Sequence, residues 1–382
     1  MSYDYQRHAP WVEARKHRRH GPGFLSNPHI DWPLMGGLLV LIALGLFILF
    51  SASGQDWGTM QRQLIRLTIA IMVMILVAQI PPHHLALWTP WFYGIGVVLL
   101  VAVLLFGDVG KGAQRWLDFG FMRFQPSEMM KLAVPMMVAW YLSTKTMPPR
   151  PMHLLIALSI ILLPVLLIAR QPDLGTSILV ASAGLFALFL TGLSWRLIIG
   201  FGALIAAVAP VMWFFLMHDY QKQRVLTLFN PESDPLGSGY HIIQSKIAIG
   251  SGGPFGKGWL NGTQSQLDFL PERSTDFIFA VYAEEFGLMG IALLLTIFLY
   301  ISLRGLRIAY QAQDSYSRLL SGALVLTFMI YVFVNIAMVS GLLPVVGVPL
   351  PLVSYGGTSI VTLMTSFGIL MSIQTHRRLL HT

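Results

Sequence analysis

No cysteine occurs anywhere in the 382 residues. That absence excludes disulfides, cysteine-ligated zinc, iron–sulfur clusters and a cysteine nucleophile. Charge is scarce as well, with Asp, Glu, Lys and Arg making up 11% of the chain, against about a quarter in a soluble domain. No HExxH or comparable ligand spacing joins the histidines and acids, so no structural metal is expected. Internal repeats, low-complexity tracts and a second soluble domain are absent too. What fills the chain is apolar: 55% of residues are hydrophobic, with 35 Gly, 22 Pro and 10 Trp. Several uninterrupted apolar runs are about 17–25 residues long, the length of helix that crosses a bilayer core.

These runs predict an all-α fold, a polytopic integral membrane protein with about ten transmembrane helices. They lie near 33–52, 62–80, 89–107, 124–143, 152–169, 174–192, 197–216, 277–303, 319–340 and 355–374. The first ends in Ser51-Ala52-Ser53, which mimics a cleavage site, but it is too long for a signal-peptide core and follows a polar tail. It is read as a retained span. An even number of spans puts both termini on one side. That side holds Arg7, Arg15, Lys16, Arg18, Arg19, Lys145, Arg150, Arg196, Arg304, Arg307, Arg318, Arg377 and Arg378; the opposite short loops hold Arg62, Arg66, Lys111, Arg115, Arg123 and Arg170. The positive-inside rule therefore makes both termini cytoplasmic. The expected plan is a basic cytoplasmic tail over 1–32, a membrane domain over 33–376 and a cytoplasmic end over 377–382. A large outer loop, 217–275, separates spans 7 and 8 and lies partly on the membrane surface. The net charge of +8 resides mostly in the tail and turns, so it reports topology rather than nucleic-acid binding.

Most acids fall in outward-facing segments: Asp56, Asp108, Asp118, Asp173, Asp219, Glu232, Asp234, Asp268, Glu272 and Asp276. Chemistry is therefore expected on the outer face, away from nucleotides. The stretch from Gly250 to Gly258 fails the Walker pattern, since Ser251 occupies the first glycine position and Gly258 the Ser/Thr position. It reads either as a tightly turned loop or as backbone N–H groups and Lys257 approaching a lipid diphosphate. Glu128 and Lys131 share one helix face, either as a self-satisfying ion pair or as a cavity wall. Asp276 directly precedes the apolar run Phe277–Val281. It reads either as a helix N-cap or as a general base, because partial desolvation at the membrane boundary raises a carboxylate's pKa. Glu284 and Glu285 would be submerged by a span starting at Phe277. Either that region lines a wet cavity or the lipid-facing span starts nearer Leu288.

Three blocks carry a family resemblance. They are Arg115-Trp116 with Gln125-Pro126-Ser127-Glu128; Gln171-Pro172-Asp173-Leu174-Gly175-Thr176; and Asn335 through Gly341 with Pro344, Gly347 and Ser354-Tyr355-Gly356-Gly357-Thr358-Ser359. From about residue 30 onward the chain resembles the SEDS family (shape, elongation, division and sporulation) of bacteria. The stretch Gly262–Leu267 is similar to the elongation branch rather than the division branch, and Ser274 stands where relatives often carry His.

The resemblance implies a peptidoglycan glycosyltransferase that polymerises lipid II on the outer face of the bacterial cytoplasmic (inner) membrane, for lateral wall elongation and rod shape. It places the essential aspartate at Asp276 and a cavity salt bridge at Glu128 and Lys131. The implied partners are lipid II and lipid-linked glycan, a class B penicillin-binding transpeptidase, other elongation-complex proteins and membrane lipids, with no nucleic acid. An α-linked donor giving a β-1,4 product inverts the anomeric centre, so one base suffices. Asp276 is the candidate for that role. Arg115, Lys131, Arg224, Lys257 or Arg273 would stabilise the leaving diphosphate, with Gln125, Glu128 and Ser354 completing the substrate site. No cofactor is built in; a divalent cation, Mg or Mn, is an optional aid to the diphosphate. Two rivals stand: a lipid II flippase, and a non-catalytic scaffold for the transpeptidase.

Overall fold

The structure, a computed structural model, describes residues 29–377 apart from 111–112, 119–122, 212, 215–216, 218, 235–236, 268 and 271. Most of the basic tail, together with Lys111, Asp268 and Arg378, lies outside the described residues. In chain order the apolar runs form α1 (Trp32–Ala52), α2 (Trp57–Ala78), α3 (Pro82–Phe106), α4 (Pro126–Ser143), α5 (Pro151–Arg170), α6 (Leu174–Phe189) and α7 (Trp195–Val211). The segment between spans follows with α8 (Asp219–Phe229), α9 (Ser238–Gly252) and α10 (Thr263–Gln266), and then come α11 (Ile278–Tyr310), α12 (Ser315–Val339) and α13 (Thr358–Thr375). Helices are what lipid demands, since backbone N–H and C=O groups there find partners only within the segment. Among the described residues seven helices are long and apolar enough to cross a membrane: α1, α2, α3, α5, α11, α12 and α13. The chain is a multi-pass membrane protein.

Local sequence explains the boundaries. Asp31, Asp56, Asp173 and Asp314 each occupy an N-cap and accept from a backbone N–H of the first turn. Pro82, Pro126 and Pro151 sit at the first helical position, where no N–H is needed. Asp31 also takes the Arg304 guanidinium at 2.5 Å, tying the start of α1 to the end of α11. Helices α1, α4, α12 and α13 supply much of the buried core, whereas α2, α3 and α5 turn Leu, Ile and Trp side chains outward. At Gly45 on α1 a Cβ would stand 2.6 Å from the Leu352 carbonyl, so only glycine lets this helix meet the 350–354 segment.

Three features go beyond the sequence reading. A small antiparallel sheet, β1 (Asp108–Gly110), β2 (Ala113–Asp118) and β3 (Arg123–Phe124), fills the connection before α4. Strands this short carry too little alternation to be read beforehand. Second, α11 breaks at Gly287, whose φ of 61° and ψ of −159° are non-helical. The part before the break, with Glu284 and Glu285, is buried in protein, and Leu288 and Met289 beyond it are exposed. The lipid-facing span thus begins near Leu288.

Third, residues 253–258 of the 217–275 segment are bonded to α11. Lys257 N–H donates to the Glu284 carbonyl at 3.0 Å, Gly258 N–H to that of Glu285 at 2.9 Å, and Leu288 N–H to that of Gly253 at 2.9 Å. Positive φ at Gly253, Gly256 and Gly258 lets the loop make these turns.

Candidate active site

Asp276 lies in the turn 272–277, one residue before the N-cap of α11, which is Phe277. Its position is held from behind. Asn335 on α12, fully buried, donates through Nδ2 to the Asp276 carbonyl at 2.9 Å and to that of Val348 at 2.7 Å. Ser354 Oγ donates to the Thr275 carbonyl at 2.5 Å, and Tyr355 N–H to that of Ser274 at 2.8 Å. Gly347, at φ 73°, faces the carboxylate, and a Cβ there would sit 3.5 Å from Asp276 Oδ2. Two distant segments, 335–348 and 354–355, therefore fasten one turn.

That turn opens onto a cavity of about 380 Å³. Its wall takes Arg115 and Trp116 from β2, Gln125 from the entry to α4, Glu128 and Lys131 from α4, and Asp173 and Thr176 from the start of α6. Glu272, Thr275 and Asp276 come from the turn, Tyr331 from α12, and Tyr355 to Ser359 from the start of α13. Lys131 Nζ donates to Glu128 Oε1 at 2.5 Å and stands 5.1 Å from the centre of the Tyr331 ring. Both members of this pair are buried. An ion pair taken out of water persists only with its partners in place. Arg115 donates to the Pro172 carbonyl at 2.5 Å and lies 3.9 Å from Asp173, which also accepts from Gln125 at 3.0 Å. The wall carries four carboxylates against two cations.

Five of the sequence candidates thus meet in one place: Asp276, Arg115, Gln125, Glu128 and Lys131. Four do not line this cavity. Lys257 points elsewhere: its ammonium bonds Glu284 Oε1 and Thr263 Oγ1, each at 2.7 Å. Arg273 donates to the Ser265 carbonyl. Ser354 is buried as the fastener described above, and its oxygen also accepts from Leu350 N–H at 2.8 Å. Arg224 is exposed on α8.

Residues not singled out earlier complete the wall. Asp173 and Tyr355 lie within the sequence blocks and had that signal; so did Asn335 behind the turn. Tyr331 had none, since an aromatic residue in an apolar helix reads as core.

His241 on α9 stacks on Phe277, the ring after Asp276, at 5.4 Å between centroids. Burial pushes its pKa down, opposed by the charges of Glu272 and Asp234. The neutral ring is therefore favoured in the folded state. Its contribution is present above the ordinary histidine range and is lost as pH falls through the lower folded value. Thermal unfolding of the purified protein between about pH 7.5 and about pH 5 should show melting temperature falling with acidification, with a shallower fall in His241→Phe. Equal slopes in the two proteins would remove His241 as a contributor.

The FtsW–RodA–SpoVE family, described as cell cycle protein, matches residues 30–379. The peptidoglycan glycosyltransferase MrdB of Escherichia coli strain K12 is 58% identical over 357 residues, covering 94% of this chain and 96% of that protein. Stage V sporulation protein E of Bacillus subtilis is 33% identical, over 89% of this chain and 95% of its own. Among solved structures, the Thermus thermophilus rod shape determining protein RodA superposes with a TM-score of 0.70 at 27% identity, covering 94% of this chain and 100% of that one. A chain from a peptidoglycan synthase complex that coordinates polymerization and crosslinking superposes with a TM-score of 0.79 at 31% identity, over 90% and 97% of the two chains. With the match running through every block that builds the cavity, the chain belongs to the FtsW–RodA–SpoVE family.

Proposed function

We propose that this chain is a peptidoglycan glycosyltransferase, the activity for which MrdB is named. It polymerises lipid II into β-1,4 glycan on the outer face of the bacterial inner membrane during lateral wall growth. The observation that carries this reading is the meeting of Asp276 with Arg115 and Lys131 in one cavity. Ten crossings, cytoplasmic termini and an outward 217–275 segment would put that cavity at the outer surface.

In the reaction the acceptor's 4-hydroxyl oxygen attacks the anomeric carbon of the lipid-linked donor. The bond from that carbon to the phosphate oxygen breaks as the new glycosidic bond forms. The hydroxyl proton goes to Asp276, and the diphosphate leaves with the electron pair. Attack opposite the leaving group inverts the centre. Arg115 and Lys131 supply positive charge where the diphosphate gathers negative charge. Since carboxylates outnumber cations on the wall, a bound diphosphate raises the local negative charge further. Mg or Mn suits phosphate oxygens, and such an ion brought with the substrate would neutralise diphosphate charge while Asp276 stays free to take the proton. Similarity to a synthase-complex chain supports a penicillin-binding transpeptidase as partner.

The test is lipid II polymerisation by the purified protein with its transpeptidase, read on a glycan-resolving gel, beside lipid II exposure in sealed vesicles. Polymer is expected. Exposure without polymer would favour a flippase, and neither would favour a scaffold.

A further inference from the structure

Arg66 on α2 is a half-buried cation among exposed Leu64, Ile65 and Ile69, on a side of the helix that faces lipid. An ionisable group in such a place is first of all a candidate functional residue. Among the described residues no carboxylate pairs with it. Its guanidinium donates to the Gly356 carbonyl at 3.2 Å and stands 4.6 Å from the centre of the Tyr355 ring, which leaves most of its N–H groups unspent. Arg62, one turn earlier on the same face, donates through Nε to the Tyr355 hydroxyl at 3.4 Å and stands 3.6 Å from Asp56.

The two guanidiniums thus flank Tyr355, which lines the main cavity and whose N–H holds the Ser274 carbonyl, two residues before Asp276. Gln63 fixes this arrangement. It is buried, its Nε2 donates to the Ser354 carbonyl at 3.3 Å, and its Oε1 accepts from Gly356 N–H at 3.4 Å. Among the described residues α2 supplies none to the cavity wall, so the arginines stand just outside it, across Tyr355 and Gly356. The rim is open there: Gly357 is exposed, and a Cβ on it would meet nothing within 4 Å.

Polymerisation has a donor diphosphate and an acceptor diphosphate to place. The donor's is bonded to the anomeric carbon, so it lies at the reacting centre with Arg115 and Lys131. On the acceptor the attacking 4-hydroxyl and the diphosphate stand at opposite ends of a disaccharide, so its diphosphate stays outside while the hydroxyl reaches Asp276. We infer that Arg62 and Arg66 bind the diphosphate of the acceptor lipid II at the lipid-side rim of the cavity. Guanidinium forks match phosphate oxygens in pairs. This rests on the glycosyltransferase reading and adds where the acceptor is held. An unreacting diphosphate fixed at the rim is remote binding that positions the 4-hydroxyl.

Two measurements test it. Native mass spectrometry of the Asp276→Asn protein released from micelles counts bound lipid II without turnover, so it stands or falls apart from the polymerase reading. A doubly loaded species is expected at saturating lipid II. Arg62→Gln together with Arg66→Gln should leave the singly loaded species dominant, and excess phosphatidylglycerol should not displace the second lipid II. Double loading that persists in the variant, single loading without the arginine changes, or displacement by phosphatidylglycerol would each overturn the assignment.

In polymerisation, Arg66→Gln should raise the lipid II concentration for half-maximal rate about tenfold or more, the scale of a lost hydrogen bond to a charged group, and lower the limiting rate by less than about threefold. Arg66→Lys keeps the charge without the fork and should recover part of the affinity. Unchanged half-saturation would leave Arg66 an anchor at headgroup level, and a fall confined to the limiting rate would leave it a prop for Tyr355; either result overturns the proposal.

Discussion

Asp276→Asn should lower lipid II polymerisation by about 10²–10⁴-fold, the contribution of a positioned general base. Asparagine keeps the shape and loses only the ability to take a proton. The backbone of the turn is held independently, by Asn335 on the Asp276 carbonyl and by Ser354 and Tyr355 on the two preceding residues. Folding and partner binding should therefore persist, with a melting temperature near that of the parent. Asp276→Glu retains a carboxylate but moves it by one methylene, so it should recover a part of the activity. If Asp276→Asn polymerises at the parental rate, the base lies elsewhere on the cavity wall, and the acids at 128, 173 and 272 become the alternatives.

The second large effect concerns the buried pair on α4. Lys131→Met should destabilise the protein by about 3–5 kcal/mol, because it strands the Glu128 carboxylate without its cation. The 2.5 Å contact lies where both side chains are only 8% exposed, so water is a poor substitute. Glu128→Gln together with Lys131→Met removes both charges and should restore most of that loss. Polymerisation should remain low in the double variant, since the cation facing the diphosphate is gone. Thermal unfolding in detergent and the gel assay separate the two effects. A double variant as active as the parent would reduce the pair to a helix pin, and a Lys131→Met protein as stable as the parent would show that water reaches Glu128.

Parts of the site were legible beforehand. Glu128 and Lys131 stand three apart, and helix geometry alone puts them on one face. Asp276 was conspicuous as a carboxylate directly before an apolar run, where it reads either as a cap or as a base; the structure puts Phe277 at the cap position. The difficulty posed by Glu284 and Glu285 was also visible, and the break at Gly287 resolves it. The cations were not sortable. Arg115 and Lys257 are both basic residues in glycine-containing segments between spans, yet one faces the cavity and the other is bonded to Glu284. No local pattern encodes that difference.

Composition and run length by themselves determined that this protein is a helical membrane protein, because hydrocarbon accepts only segments whose backbone bonds close internally. Spacing within one helix likewise determined the Glu128–Lys131 pair. Only the tertiary structure decided which residues surround Asp276. The wall joins β2, α4, α6, the 272–277 turn, α12 and α13, and contacts between segments so far apart in the chain depend on how helices pack, not on neighbouring residues. Packing likewise fixed the roles of Ser354 and Lys257, since a hydroxyl or an ammonium bonds whatever buried acceptor the fold brings within reach.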